Sequence, residues 1–200
     1  MVIASTHSGS VPCGCDYEIV LQQKGMGCMR KHSARKFYGI RRSGKIEFVR
    51  VEVILRGNQS ADKTIDRLRG AGITVTDSAV DIIRSMRKSH RRRKLALTRV
   101  SGKDLGFSHR ASAKEIYDRA AFCGLALVAP EAGPELCLRY FQHDGDHVLL
   151  AMDPVSCDGY PHVFALTSDA GIKQLDGEYG SLGHSWMPSQ TWLFSVPDPR

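Results

Sequence analysis

The sequence predicts an α+β fold: short helices followed by an antiparallel β-meander, with a basic N-terminal region containing a β-hairpin. Three observations carry that expectation. Ala79, Ile82, Ile83 and Met86 recur at the i, i+3, i+4, i+7 spacing of one helix face. Ser112-Ala-Lys-Glu115 has the S-x-x-E form of a capping box, in which each side chain satisfies the other residue's free N–H. After Pro130 come four apolar runs divided by Gly, Asp and Pro turns, the spacing of consecutive hairpin strands.

The elements follow in order. DYEIVL (16–21) predicts a short strand, and Gly25-Met-Gly27 a turn. KIEFVRVEVIL (45–55) alternates apolar and polar residues with one slip in phase at Val49, which predicts a half-buried strand with a bulge. The Ser43-Gly44 turn before it makes a hairpin with the preceding segment. Ser60 is an N-cap with Asp62 in the first turn behind it. Ile65 and Leu68 lie on one face of that helix, and Gly70 and Gly72 stop it. The second helix starts at Thr76 or Asp77, and LALTRV (95–100) reads as a strand. The capped helix runs from Ser112 to about Cys123 with Ile116 and Ala120 on its apolar face, and Gly124 ends it. Strands are predicted at 135–141, 147–153, 162–167 and 191–196, with no helix among them. The organisation expected is a basic region at 1–57 and a helix-and-sheet unit at 58–200.

Composition bounds the function. Hydrophobic residues make up 42% and charged residues 24%, as in globular domains. No apolar run approaches the roughly 20 residues that span a bilayer. The start MVIASTHSGSVP lacks the basic and apolar regions of a secretory leader. A cytoplasmic location is therefore the expectation. The six cysteines are then read as thiols or metal ligands rather than disulfides.

The net charge of +7 conceals a division. Residues 1–100 hold 21 Lys and Arg against 8 Asp and Glu, a net of +13; residues 101–200 hold 7 against 13, a net of −6. Such a chain has one half suited to phosphates, unless the acidic half neutralises the basic one. The basic side chains form two groups. Arg30, Lys31, Arg35, Lys36, Arg41, Arg42 and Lys45 fall in one acid-free stretch, with Phe37 and Tyr38 placed to stack on bases. Arg87, Lys88, Arg91, Arg92, Arg93 and Lys94 fall in RKSHRRRK. Such side chains bind polyanions by releasing counterions, without reading sequence. No RNP motif, GXXG loop or helix-turn-helix fingerprint accompanies them, although the two helices joined by Gly70-Ala-Gly72 form a pair.

Cys13, Cys15, Cys28 and His32 are candidate ligands of a small structural zinc site. Their spacing is C-x-C-x12-C-x3-H. The central gap suits a small finger, whereas one residue between Cys13 and Cys15 is shorter than the usual two to four. The other reading is a set of incidental thiols. His143, Asp144, Asp146 and His147 form the most enzyme-like cluster, but Asp144-Gly145 and Asp158-Gly159 read first as hairpin turns. No G-x-S-x-G, H-E-x-x-H or phosphate-binding loop is found, so no enzymatic activity is expected. Cys123, Cys137, Trp186 and Trp192 are expected in the core, and His162 and His184 have no evident partner in the sequence.

Two functions follow. The first is a non-enzymatic nucleic-acid or polyanion-binding protein, acting on RNA or nonspecific DNA through its basic half. The alternative is a protein-interaction module, an adaptor or inhibitor of a nucleoprotein complex, docking through its acidic meander.

The stretches PEAGPELCLRY (130–140), LLAMDPVSCDGYPHVFAL (149–166) and WLFSV (192–196) carry a resemblance. With DLGF (104–107) and the helices at 73–86 and 112–123, the chain from about residue 60 to 200 resembles a family of small uncharacterised bacterial proteins. The resemblance implies a shared fold and no particular activity. GIKQLDGEYG (171–180) departs from it, since that segment often carries a Trp in the family.

Overall fold

The computed structural model describes residues 18–20, 35–41, 44–55, 59–86, 93–139 and 145–197, with strand backbone only at 18–20, 35–41 and 44–52. The fold is α+β, as the sequence predicts. Its strands are β1 (Glu18–Val20), β2 (Arg35–Arg41), β3 (Gly44–Leu55), β4 (Ile73–Val75), β5 (Arg93–Ser101), β6 (Ala111–Ser112), β7 (Asp146–Leu150), β8 (Val155–Cys157), β9 (Tyr160–Asp169), β10 (Ile172–Tyr179), β11 (Ser185–Trp186) and β12 (Thr191–Ser195). Its helices are α1 (Ala61–Gly70), α2 (Asp77–Ser85), α3 (Ala113–Phe122) and α4 (Ala132–Arg139).

One mixed sheet carries the molecule, in the order β1-β2-β3-β5-β12-β7-β9-β10-β4, with β8 paired to β9. Most pairs are antiparallel; β12 with β7 and β10 with β4 are parallel. Helices α1, α2 and α4 pack on one face, where Val53, Leu55, Leu97, Leu150, Phe164, Leu166 and Leu175 join Leu68, Ile82, Ile83 and Leu136 in the core. On the other face, Tyr117 of α3 meets Trp192 and Phe194 edge-on, with ring centroids 5.6 and 6.1 Å apart. Such offset contacts suit the ring quadrupoles.

The helix ends are built from local chemistry. Ser60 accepts a hydrogen bond from the Lys63 N–H at 3.3 Å, and Thr76 one from the Ala79 N–H at 3.3 Å. The capping box closes as expected: Ser112 Oγ accepts from the Glu115 N–H at 3.2 Å, and Glu115 Oε2 accepts from the Ser112 N–H at 2.8 Å. The Asp158-Gly159 turn between β8 and β9 has φ of 52° and 82°, the two left-handed residues of a type I′ hairpin. Among the described residues, no helix is long and apolar enough to cross a membrane.

Three expectations are corrected. The strand expected at 135–141 is not found: Ala132–Arg139 form α4, and 140 and 141 lie outside the described residues. Leu-Cys-Leu-Arg alternates like a strand, but Gly133 lets the helix backbone approach β9 closely. A Cβ there would lie 2.8 Å from the Phe164 ring. Pro134 is tolerated because it stands in the first helical turn, where N–H groups have no intrahelical acceptor. The meander is also interrupted: β12 is inserted between β5 and β7, away from its sequence neighbours. Finally, the registers of β3 with β2 and β5 run from Gly44 to Leu55 without a skipped residue, so the slip at Val49 marks no bulge.

Candidate nucleic-acid interface

The strand order gives the charge division a place. Strand β3 lies between β2 and β5, and the first residues of β5 end the run RKSHRRRK, so these basic segments fall on three consecutive strands towards one end of the sheet. The strands of the acidic half, β7, β9 and β10, lie towards the other end.

Of the candidate residues, Arg35, Lys36, Phe37, Tyr38 and Arg41 belong to β2, and Lys45 to β3. The register pairs Arg35 with Arg50, Lys36 with Val49, Phe37 with Phe48 and Tyr38 with Glu47. Arg93 and Lys94 open β5, paired with Leu55 and Ile54, and both are exposed. Arg93 has a neighbour of its own: its Nη2 lies 3.8 Å from Glu131 Oε2. Arg30, Lys31, Arg42, Arg87, Lys88, Arg91 and Arg92 lie outside the described residues.

The zinc candidates Cys13, Cys15, Cys28 and His32 also lie outside them. Among the described residues, no group of three or more His, Cys, Asp or Glu side chains could hold a metal ion. Cys137 is buried, and desolvation pushes its thiol up to about 12, so it stays protonated as a core residue. Cys157 is buried too, and burial together with the Asp81 and Asp158 charges raises its thiol.

The acidic end holds a polar cluster that the sequence only hinted at. His143 and Asp144 lie outside the described residues, but Asp146 and His147 do not act together. Adjacent strand residues point to opposite faces. Asp146 accepts from Arg99 Nη1 at 2.9 Å, while His147 Nε2 bonds Glu178 Oε1. The other imidazole nitrogen, Nδ1, lies 3.0 Å from Gln190 Nε2. Both ring nitrogens therefore have partners within the protein. The hydrogen bond that His147 donates to Glu178 holds the ring above the ordinary imidazole value against the pull of burial, and the Glu178 and Asp176 charges raise it further. Residues 31 and 43 positions apart from His147 complete this cluster, and no local sequence signal joins them.

The aromatic residues pack the sheet. Trp192 is in the core, and its ring meets Trp186 at 5.3 Å. His184 has partners after all, stacking edge-on against Trp186 at 4.7 Å and Tyr179 at 5.5 Å. His162 Nδ1 lies 3.0 Å from the Tyr160 carbonyl oxygen. In comparison with known proteins, no family model, no curated protein and no solved structure matches this chain.

Proposed function

We propose that the protein binds nucleic acid, as RNA or nonspecific DNA, or another polyanion, through the basic end of its sheet and without catalysing a reaction. One observation carries this reading: the strand order β2-β3-β5 brings β2 and β3, which carry the basic stretch 35–45, to the same side of the sheet as β5, whose first residues end RKSHRRRK. Two clusters separated in sequence then supply one field to a phosphate backbone, and each phosphate neutralised releases counterions. A cytoplasmic location and kinship with the small bacterial proteins that residues 60–200 resemble belong to the same proposal. Cys13, Cys15, Cys28 and His32 enter it as ligands of a structural zinc, with metal analysis of the purified protein in reducing buffer as the check. A stoichiometry near zero removes the zinc.

The test is binding to single-stranded and duplex RNA and DNA over a range of salt. Affinity should fall steeply as salt rises. Replacing Arg91, Arg92 and Arg93 together by Ala should flatten the slope of log K against log salt by up to about 2.7 on duplex DNA, at roughly 0.9 per phosphate contact. Absence of binding at low salt refutes the reading.

A different observation favours a second reading. Tyr160, Ile172, Tyr179, Leu182 and Met187 are large apolar side chains exposed to solvent, all in the acidic half. They suit a protein partner docking there, as an adaptor or inhibitor of a nucleoprotein complex would require.

A further inference from the structure

The segment from Gly180 to Gln190 crosses the sheet on the α3 side. Backbone bonds fasten it. Its Leu182 and His184 carbonyls accept from the N–H groups of Lys114 and Ala113 at 2.9 and 3.0 Å. Its Pro188 and Gln190 carbonyls accept from Lys103 and Gly102 at 2.8 and 3.2 Å. In between, the segment carries Trp186 over Trp192. At its end, Gln190 reaches the His147 ring, whose other nitrogen is bonded to Glu178 of β10. One imidazole thus joins three elements: β7, β10 and the turn before β12.

The chemistry of that joint depends on the ring's charge. A neutral ring offers one N–H and one lone pair, so it donates to Glu178 through Nε2 and accepts at Nδ1 from the Gln190 amide. A charged ring offers two N–H groups. It then forms an ion pair with Glu178 and requires Gln190 to turn and present its Oε1. The groups around it favour the charged form. Asp176 is a second carboxylate on β10; Thr167, its register partner on β9, is neutral; Asp146, next along β7, is occupied by Arg99 of β5.

We propose that His147 is a pH-sensitive clasp that fastens the 187–190 turn to β10 when charged and slackens it when neutral, moving the seat of Trp186. The sign follows from the direction of the shift. A histidine raised by its partner contributes fully below its unfolded value of about 6.5, and that contribution is lost as pH rises through the folded value.

The protein has two tryptophans, Trp186 and Trp192, so intrinsic emission reads this seat directly. A pH titration of the full chain should show one transition in tryptophan emission with its midpoint above the ordinary imidazole range. His147→Gln should abolish the transition, and Glu178→Gln should move it to lower pH. Because His184 also touches Trp186 and a charged imidazole quenches indole, His184→Gln is the control and should retain the transition. The protection factor of the Gln190 backbone N–H, which donates to the Met187 carbonyl at 2.9 Å, should fall above the midpoint in the wild-type chain and not in His147→Gln. A transition that persists in His147→Gln, or disappears in His184→Gln, overturns the proposal. So does an unchanged midpoint in a folded Glu178→Gln variant.

Discussion

Gly180 and Gly183 stand three residues apart in the same segment, and alanine should have opposite effects at the two. Gly180 is buried, and its N–H donates to the Pro161 carbonyl at 2.7 Å. A Cβ there would lie 2.6 Å from Val163 Cγ1, 2.9 Å from the Val163 nitrogen and 3.1 Å from the His162 carbonyl carbon. Two of those three atoms are backbone of β9, which is held between β7 and β10 and cannot retreat without breaking ladder bonds. The third belongs to a fully buried valine whose χ1 is stiff. Overpacking of this kind costs about 1–3 kcal/mol. For a chain of this size each kcal/mol lowers Tm by roughly 2–4 °C. Gly180→Ala should therefore melt several degrees below wild type. At Gly183 nothing lies within 4 Å of the added carbon, and its φ is not among the positive ones. There alanine restricts the unfolded chain without a clash and should stabilise by up to about 0.4–1 kcal/mol. Thermal and urea unfolding followed by circular dichroism gives both numbers. Equal stability of the two variants would refute the argument from close approach.

Two further substitutions test other joints. Ala170, in the Ala170-Gly171 turn between β9 and β10, has φ of 48°. A non-glycine residue pays about 1–2 kcal/mol there and asparagine pays less, so Ala170→Asn should raise Tm by a few degrees, and a lowered Tm would contradict the type I′ geometry. Glu135 has a side chain only 6% exposed, 2.9 Å from Arg67 of α1 and 3.5 Å from Arg139. Breaking a buried pair costs about 3–5 kcal/mol, less where the remaining arginine reaches water as Arg67 does, so Glu135→Ala should cost about 2–3 kcal/mol in urea unfolding. A loss under about 0.5 kcal/mol, the range of ordinary surface changes, would show that α4 is not anchored through this carboxylate.

What was legible in the sequence was local. The Ala79, Ile82, Ile83 stripe, the Ser112 capping box and the Asp158-Gly159 turn each depend on residues within a few positions, and each stands where the pattern put it. What was not legible depends on partners far along the chain. Ile172-Lys-Gln-Leu-Asp-Gly-Glu-Tyr179 is given no predicted strand by the sequence, since Leu175 is its one buried side chain, yet β9 and β4 pair it from both sides. Gly177 is required there because a Cβ would lie 2.8 Å from Ser78 of α2, a constraint no local pattern announces. The candidate interface was half legible: its basic residues stood out by composition, while the adjacency of β2, β3 and β5 came only from pairing. The His147 cluster was visible in part, since His147 stood out but Glu178 and Gln190 did not.

The rival account of the charge division, that the acidic half neutralises the basic half, also has contacts in its favour. Three arginines of residues 1–100 meet acids of residues 101–200: Arg67 with Glu135, Arg93 with Glu131 and Arg99 with Asp146. These pairs are unequal. Arg67–Glu135 is a joint between α1 and α4, and Arg99–Asp146 reaches across β12 at 2.9 Å and joins β5 to β7 in the middle of the sheet. Arg93–Glu131 spans 3.8 Å with Arg93 about half exposed, the kind of pair worth about 0–1 kcal/mol. Three such pairs among the described residues offset only part of a net charge of +13. Self-neutralisation therefore explains arginines that hold elements together among the described residues; the proposed polyanion concerns the basic side chains outside these pairs. It also refines the test. Since Arg93 must leave Glu131 to reach a phosphate, Arg91→Ala with Arg92→Ala should remove most of the salt dependence that the triple replacement removes. If Arg93→Ala alone weakens binding as much as that pair does, Glu131 does not compete for it, and the ion pair is not kept in solution.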